Sequence, residues 1–222
     1  MNQQQQGLEA LQDIKRMMER SSRFISLSGW SGISAGLCAL VGAGLAVNRI
    51  AHYKRSYLGT PGDIRPGGRT WRSEALDVLS LELLGIAAGV FIAAVLLAFV
   101  FTYIRSRKNN LPIWGATARR LMWNTMVPLI VGGVVVLNML QAGHYLQIAP
   151  LCLIFYGLAL LNGSKYTLGE IRYLGYCEII LGLINLWQPG WGLIFWALGF
   201  GVLHIVYGAV MWWRYERKAN SY

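Results

Sequence analysis

The chain has 222 residues, 55% of them hydrophobic and only 14% charged, with a formal net charge of +10. A soluble domain carries about 25% charged residues, so a water-facing globular fold is excluded. The basic excess shows no zinc-finger spacing and no basic face on a soluble unit. It reads as loop charge that fixes membrane orientation, and no nucleic-acid partner is expected.

Residues 1–23 read as a cytoplasmic arm. Gln3, Gln4, Gln5 and Gln6 form a run with no structural pattern and read as disordered. Leu8, Leu11, Ile14 and Met18 then recur at three- and four-residue steps, with Lys15, Arg16, Glu19 and Arg20 elsewhere around the wheel. That spacing predicts an amphipathic helix over 8–20, which either lies on the membrane surface or docks a cytoplasmic protein partner. The arm is too polar for a signal peptide, and the apolar run behind it is longer than a signal core, so that run is read as a retained span.

A spanning helix needs about 20 mostly apolar residues, within a range of roughly 17–25. Six segments qualify: 24–47, 78–104, 121–140, 145–161, 171–187 and 191–213. Backbone groups in hydrocarbon must be satisfied within the segment, which favours helices, and no alternating pattern suggests barrel strands. The expected fold is all-α: a multi-pass membrane protein with six transmembrane helices arranged as helical hairpins over 24–214, followed by a cytoplasmic tail at 215–222. In the first span, Ser28, Gly32 and Gly36 stand four residues apart, a step that lets helices approach closely. They predict a packing face within the monomer or a seam between copies. Residues 48–77 read as an exterior loop whose centre, Gly59 to Gly68, is rich in turn residues. Glu82, about one turn into the second span, is expected to pair with an Arg of that loop.

Of the 20 Lys and Arg residues, fourteen fall in the arm, the second and fourth loops and the tail, and six in the first loop. This split predicts both termini in the cytoplasm. Cys38, Cys152 and Cys177 lie in apolar segments without CxxC spacing and read as buried thiols, not as a disulfide framework.

A hairpin is written twice. Leu137-Asn138-Met139-Leu140-Gln141-Ala142-Gly143 matches Ile184-Asn185-Leu186-Trp187-Gln188-Pro189-Gly190, and Ile154-Phe155-Tyr156-Gly157 matches Ile205-Val206-Tyr207-Gly208. The second copy is four residues longer between the matches, about one helical turn. Val47-Asn48-Arg49-Ile50-Ala51, running into His52-Tyr53, is a weaker echo of the run into His144-Tyr145. The pattern predicts that segments 3–4 and 5–6 are repeats.

Glu178 stands near the middle of the fifth span, where an ionisable residue is expensive and points to function. It lies 12 residues before Gly190, and His204 lies 14 after it, so at 1.5 Å per residue both sit about 18–21 Å from the turn. An antiparallel hairpin could bring them together, with Tyr156, Tyr207 and Tyr176 as hydrogen-bond partners. The pair reads either as a polar rung that orients helices or as a proton-responsive or ligand-binding site. His52 and His144, both near the exterior interface, raise a haem reading. No HExxH, CxxCH or carboxylate–histidine cluster supports it, and no metal, cofactor or catalytic residue is expected.

The last two spans resemble the repeat of the HdeD-like family of bacterial acid-stress membrane proteins. The resemblance rests on Ile180-Leu181-Gly182-Leu183, Gln188-Pro189-Gly190, Leu198-Gly199 and Tyr207-Gly208. It implies a six-span, stress-related protein of the bacterial inner membrane and carries no catalytic residues with it. Three functions stay open: a non-enzymatic stress or regulatory protein, alone or as a homo-oligomer; a small transporter or channel with a proton-linked polar path; and a haem or redox protein.

Overall fold

A computed structural model describes residues 28–57, 71–108 and 114–217. The arm at 8–20, the turn-rich centre of the first loop and the tail beyond 217 lie outside the described residues.

Among the described residues there is no strand. The helices are α1 (Gly29–Tyr57), α2 (Trp71–Lys108), α3 (Ala116–Gln141), α4 (Ile148–Gly163), α5 (Ile171–Leu186) and α6 (Gly192–Glu216). A 3-10 turn, Tyr145–Gln147, leads into α4. Among the described residues, five helices are long and apolar enough to cross a membrane; α5 falls short of that length. Its 16 residues span about 24 Å at 1.5 Å per residue, against a hydrocarbon core of about 30 Å.

Helix claims more of the first loop than the turn-rich reading of 48–77 suggests. α1 runs on to Tyr57 and α2 begins at Trp71. No Gly or Pro interrupts the chain between Asn48 and Tyr57, and Lys54 and Arg55 in the last turn of α1 complement its dipole. The breakers Gly59, Pro61, Gly62, Pro66, Gly67 and Gly68 all fall between the two helices. Arg49 reaches Glu82 across the α1–α2 pair at 3.8 Å, with both side chains largely exposed.

α6 packs mainly on α1 and then on α4, and α4 packs on α3 and α5. α2 lies beside α1, and its most apolar stretch has no buried residue, which suits a helix sheathed in lipid. Glycines set the closest crossings. A methyl group at Gly208 would stand 2.5 Å from the Gly29 carbonyl and 2.6 Å from the Ile33 nitrogen, and one at Gly36 would stand 2.6 Å from the Gly201 carbonyl. The Ser28–Gly32–Gly36 face is therefore covered by α6 within the monomer. Gly157 meets Gly175 in the same way between α4 and α5. The α3–α4 and α5–α6 turns close on Gly143 at φ 75° and Gly190 at φ 95°, a left-handed backbone that favours glycine.

Candidate functional site

α6 is not a uniform helix. Ala197–Leu203 and Trp212–Glu216 are wound as π-helix, with α-helix on either side of the first stretch. Such wide turns are rare and frequently mark functional sites. The first of them carries Gly199 and delivers His204 into the space between α4 and α5.

There His204 joins two residues from other helices. Its Nε2 lies 2.7 Å from the Tyr156 hydroxyl of α4. Its Nδ1 lies 3.0 Å from the Gly199 carbonyl and 3.4 Å from Glu178 Oε1 of α5. A carbonyl only accepts, so the proton on Nδ1 is directed at Gly199 and, more weakly, at Glu178. A neutral imidazole then accepts the Tyr156 O–H at Nε2. The carbonyl thus selects the tautomer.

Glu178 is fully buried, and neither of its carboxyl oxygens has a hydrogen-bond partner. Gly199 makes room for it: a methyl group there would stand 2.5 Å from both Glu178 Oε2 and Leu153 Cδ2. Leu153, itself fully buried, closes that side. An aromatic stack supports the imidazole. Tyr156 and Phe200 lie 5.1 Å apart between ring centres, and Phe200 and Trp196 lie 4.5 Å apart. A carboxylate in so dry a setting is costly unless paired and hydrogen-bonded, and here it has one partner at long range.

Tyr207 stands one helical turn beyond His204. Its hydroxyl is buried and also lacks a hydrogen-bond partner. A cavity of about 190 Å³ lies alongside. Tyr156, His204 and Tyr207 line it, with Ser31 of α1 and Ser28 just before that helix, and Ala98 of α2 contributes to its wall.

Two ion clusters that the sequence reading did not single out lie near the ends of these helices. Glu216 Oε1 accepts from Ser28 Oγ at 3.0 Å, from the Gly29 N–H at 2.6 Å, and from Arg105 of α2. It caps α1 from 187 residues away. Glu170, just before α5, accepts from Arg214 at 2.9 Å and from Tyr215 at 2.6 Å. Burial alone would raise the Glu170 carboxyl. The Tyr215 hydroxyl, a backbone N–H and Arg214 outweigh it and hold the group below the usual carboxylate range. The available signal was that Glu170 and Glu216 are lone acids among the basic loops.

The remaining candidates do not join this site. Tyr176 is exposed, as are His52 and His144. Cys38 and Cys152 are half-buried and Cys177 is exposed, which corrects the reading of Cys177 as a buried thiol: its position on α5 turns away from the bundle while Glu178, the next residue, turns in. Among the described residues no three His, Cys, Asp or Glu gather as a metal site.

The chain matches no protein-family model, no curated protein and no solved structure.

Proposed function

We propose that this is a non-enzymatic, six-span protein of the bacterial inner membrane, both termini cytoplasmic, whose Glu178–His204–Tyr156 group makes it responsive to protons. α5 would be the sixth span, helped by the turns before and after it. The two hairpins would be repeats, which the matched turn glycines Gly143 and Gly190 support. The resemblance to HdeD-like acid-stress proteins points the same way and makes stress response or regulation the physiological setting.

The observation that carries the reading is a fully buried carboxyl group with no hydrogen-bond partner, 3.4 Å from an imidazole. Such a group can hold one proton in more than one place. A proton arriving from outside can be taken up at Nε2 while Nδ1 releases its own to Glu178 Oε1, so that the imidazole changes tautomer and stays neutral, the carboxylate becomes a carboxyl, and the group ends one charge more positive. That change alters the tie between α4, α5 and α6, and so the packing of the bundle.

Infrared difference spectroscopy of the purified protein between neutral and acidic pH tests this. A carboxyl C=O band should appear or vanish with pH and be absent in Glu178→Gln. A difference spectrum unchanged by that substitution would reject the proton site. The π-helical break in α6 beside the site favours one second reading, a small proton-linked transporter. Proteoliposomes that dissipate a pH gradient in the wild type, but not as Glu178→Gln, would favour it.

A further inference from the structure

We propose that the cavity beside His204 is a water-filled entry route, and that it connects the buried site to one side of the membrane alone, the side of Glu216 and Glu170. The inference rests on the reading of Glu178, His204 and Tyr156 as a proton site and adds the direction from which the proton comes.

The cavity measures about 190 Å³. A water molecule's share of liquid volume is about 30 Å³, so the space suits a short file of waters. Tyr156 and His204 line its deep end, and Tyr207 lines its wall. Ser28 and Ser31 line it at the start of α1, and Ile171, Leu174 and Met211 mark the same end of α5 and α6. That is the end where Glu216 binds Ser28 and Arg105, and where Glu170 binds Arg214.

The cavity in the other half of the bundle, about 340 Å³, lies between α1, α2 and the hairpin turns. Neither Glu178 nor His204 lines it, so it does not reach the site. Leu153, beside Gly199 at the site, is fully buried and lines neither cavity.

The titratable groups around the route are few. α4 contributes Tyr156, α5 Glu178, and α6 His204 and Tyr207. Glu170, Tyr173, Arg214 and Tyr215 act on Tyr207 from the cluster at its end. The lining residues of α1 (Ser31, Gly32 and Ala35, with Ser28 just before it) and of α2 (Ala98) include no titratable group. A proton entering there meets Tyr156 and His204 before Glu178.

Silver ion, a small thiol reagent, tests the route in full-length protein in which Cys38, Cys152 and Cys177 are replaced by Ala. Ser31→Cys and Ala35→Cys place thiols on the cavity wall; the second covers the case in which the first does not fold. Ala159→Cys, fully buried and away from the cavity, is the dry control. Arg217→Cys, on the exposed end of α6, marks the side. Membrane vesicles of both orientations are treated with silver, and the remaining free thiol is counted. The cavity thiols should react about tenfold faster than Ala159→Cys, and only in the vesicles in which Arg217→Cys reacts. Protection equal to that of Ala159→Cys in both orientations would overturn the route, as would reaction from the opposite side. Reaction from the Arg217 side, combined with an infrared spectrum that Glu178→Gln leaves unchanged, would show a wet cavity without a proton site. It would remove the functional reading and this inference with it.

Discussion

At the scale of single residues, the polar site and the ion clusters make different predictions. Glu178 and His204 are buried against each other, and removing one partner leaves the other in a dry site. Breaking a buried pair costs about 3–5 kcal/mol. His204→Ala, which strands Glu178, should lower thermal stability in detergent by an amount of that order, and Glu178→Gln, which leaves His204 its Gly199 and Tyr156 partners, should cost less. The double variant should lose less than the sum of the two, since neither group is then stranded. Strictly additive losses would mean that the pair is not coupled. Glu170 behaves differently because its carboxyl is held below the usual range by Tyr215 and Arg214. A carboxyl depressed in the folded state contributes stability that is present above the unfolded value, about 4.3 for Glu, and that is lost as pH falls through the lower folded value. The wild type should therefore exceed Glu170→Gln by about 1 kcal/mol at neutral pH. That gap should be constant above about pH 5 and close below about pH 4. A gap that widens with acid would contradict the assignment.

At the scale of helices, glycine decides where the bundle is tight, and the test is whether alanine is tolerated. On α1 and α6, a methyl group at Gly208 would meet main-chain atoms of Gly29 and Ile33. Backbone cannot step aside as a flexible side chain can, so Gly208→Ala should destabilise by about 1–3 kcal/mol. Gly85 and Gly89 on α2 have open space where the methyl would go. There the same change should be neutral or add up to about 1 kcal/mol by restricting the unfolded backbone. Thermal unfolding of the three variants separates these outcomes, and equal losses at all three positions would show that α2 is packed more closely than its exposure indicates. The same contrast explains what could be read from the chain. Apolar length and the spacing of Ser28, Gly32 and Gly36 were visible, because a close-packed face needs small residues at a helical step. The common depth of Glu178 and His204 was also visible, because residue counts from Gly190 give it. Which way each side chain turns was not, since that depends on α6 lying against α1 and α4 and on two π-helical stretches that no local pattern announces. Gly199 looked like an ordinary glycine in an apolar run. Its role beside Glu178 follows only from the crossing.

At the scale of the whole molecule, most basic residues gather at one end, although Arg49, Lys54 and Arg55 toward the end of α1 lie at the other. Arg105, Arg107 and Lys108 close α2, Arg119 and Arg120 open α3, and Arg214 and Arg217 close α6. The connected helices run alternately up and down, so these ends share one face. The clusters agree, since Glu216 joins the start of α1, the end of α2 and the end of α6 at one point. The hairpin turns at Gly143 and Gly190 occupy the opposite face, where Ala142 to Gly143 and Trp187 to Gly190 carry no Lys or Arg. Basic loops tend to be retained in the cytoplasm, in keeping with the orientation proposed above, the first face inward and the hairpin turns outward. Reporter fusions check this. A fusion after Leu140 should read exterior and one after Tyr222 cytoplasmic. If both read cytoplasmic, the chain crosses an even number of times between those points, α5 does not span, and the Glu178 helix lies within the bundle as a re-entrant segment. The silver route would then begin from a different surface, and Arg217→Cys would still show which one.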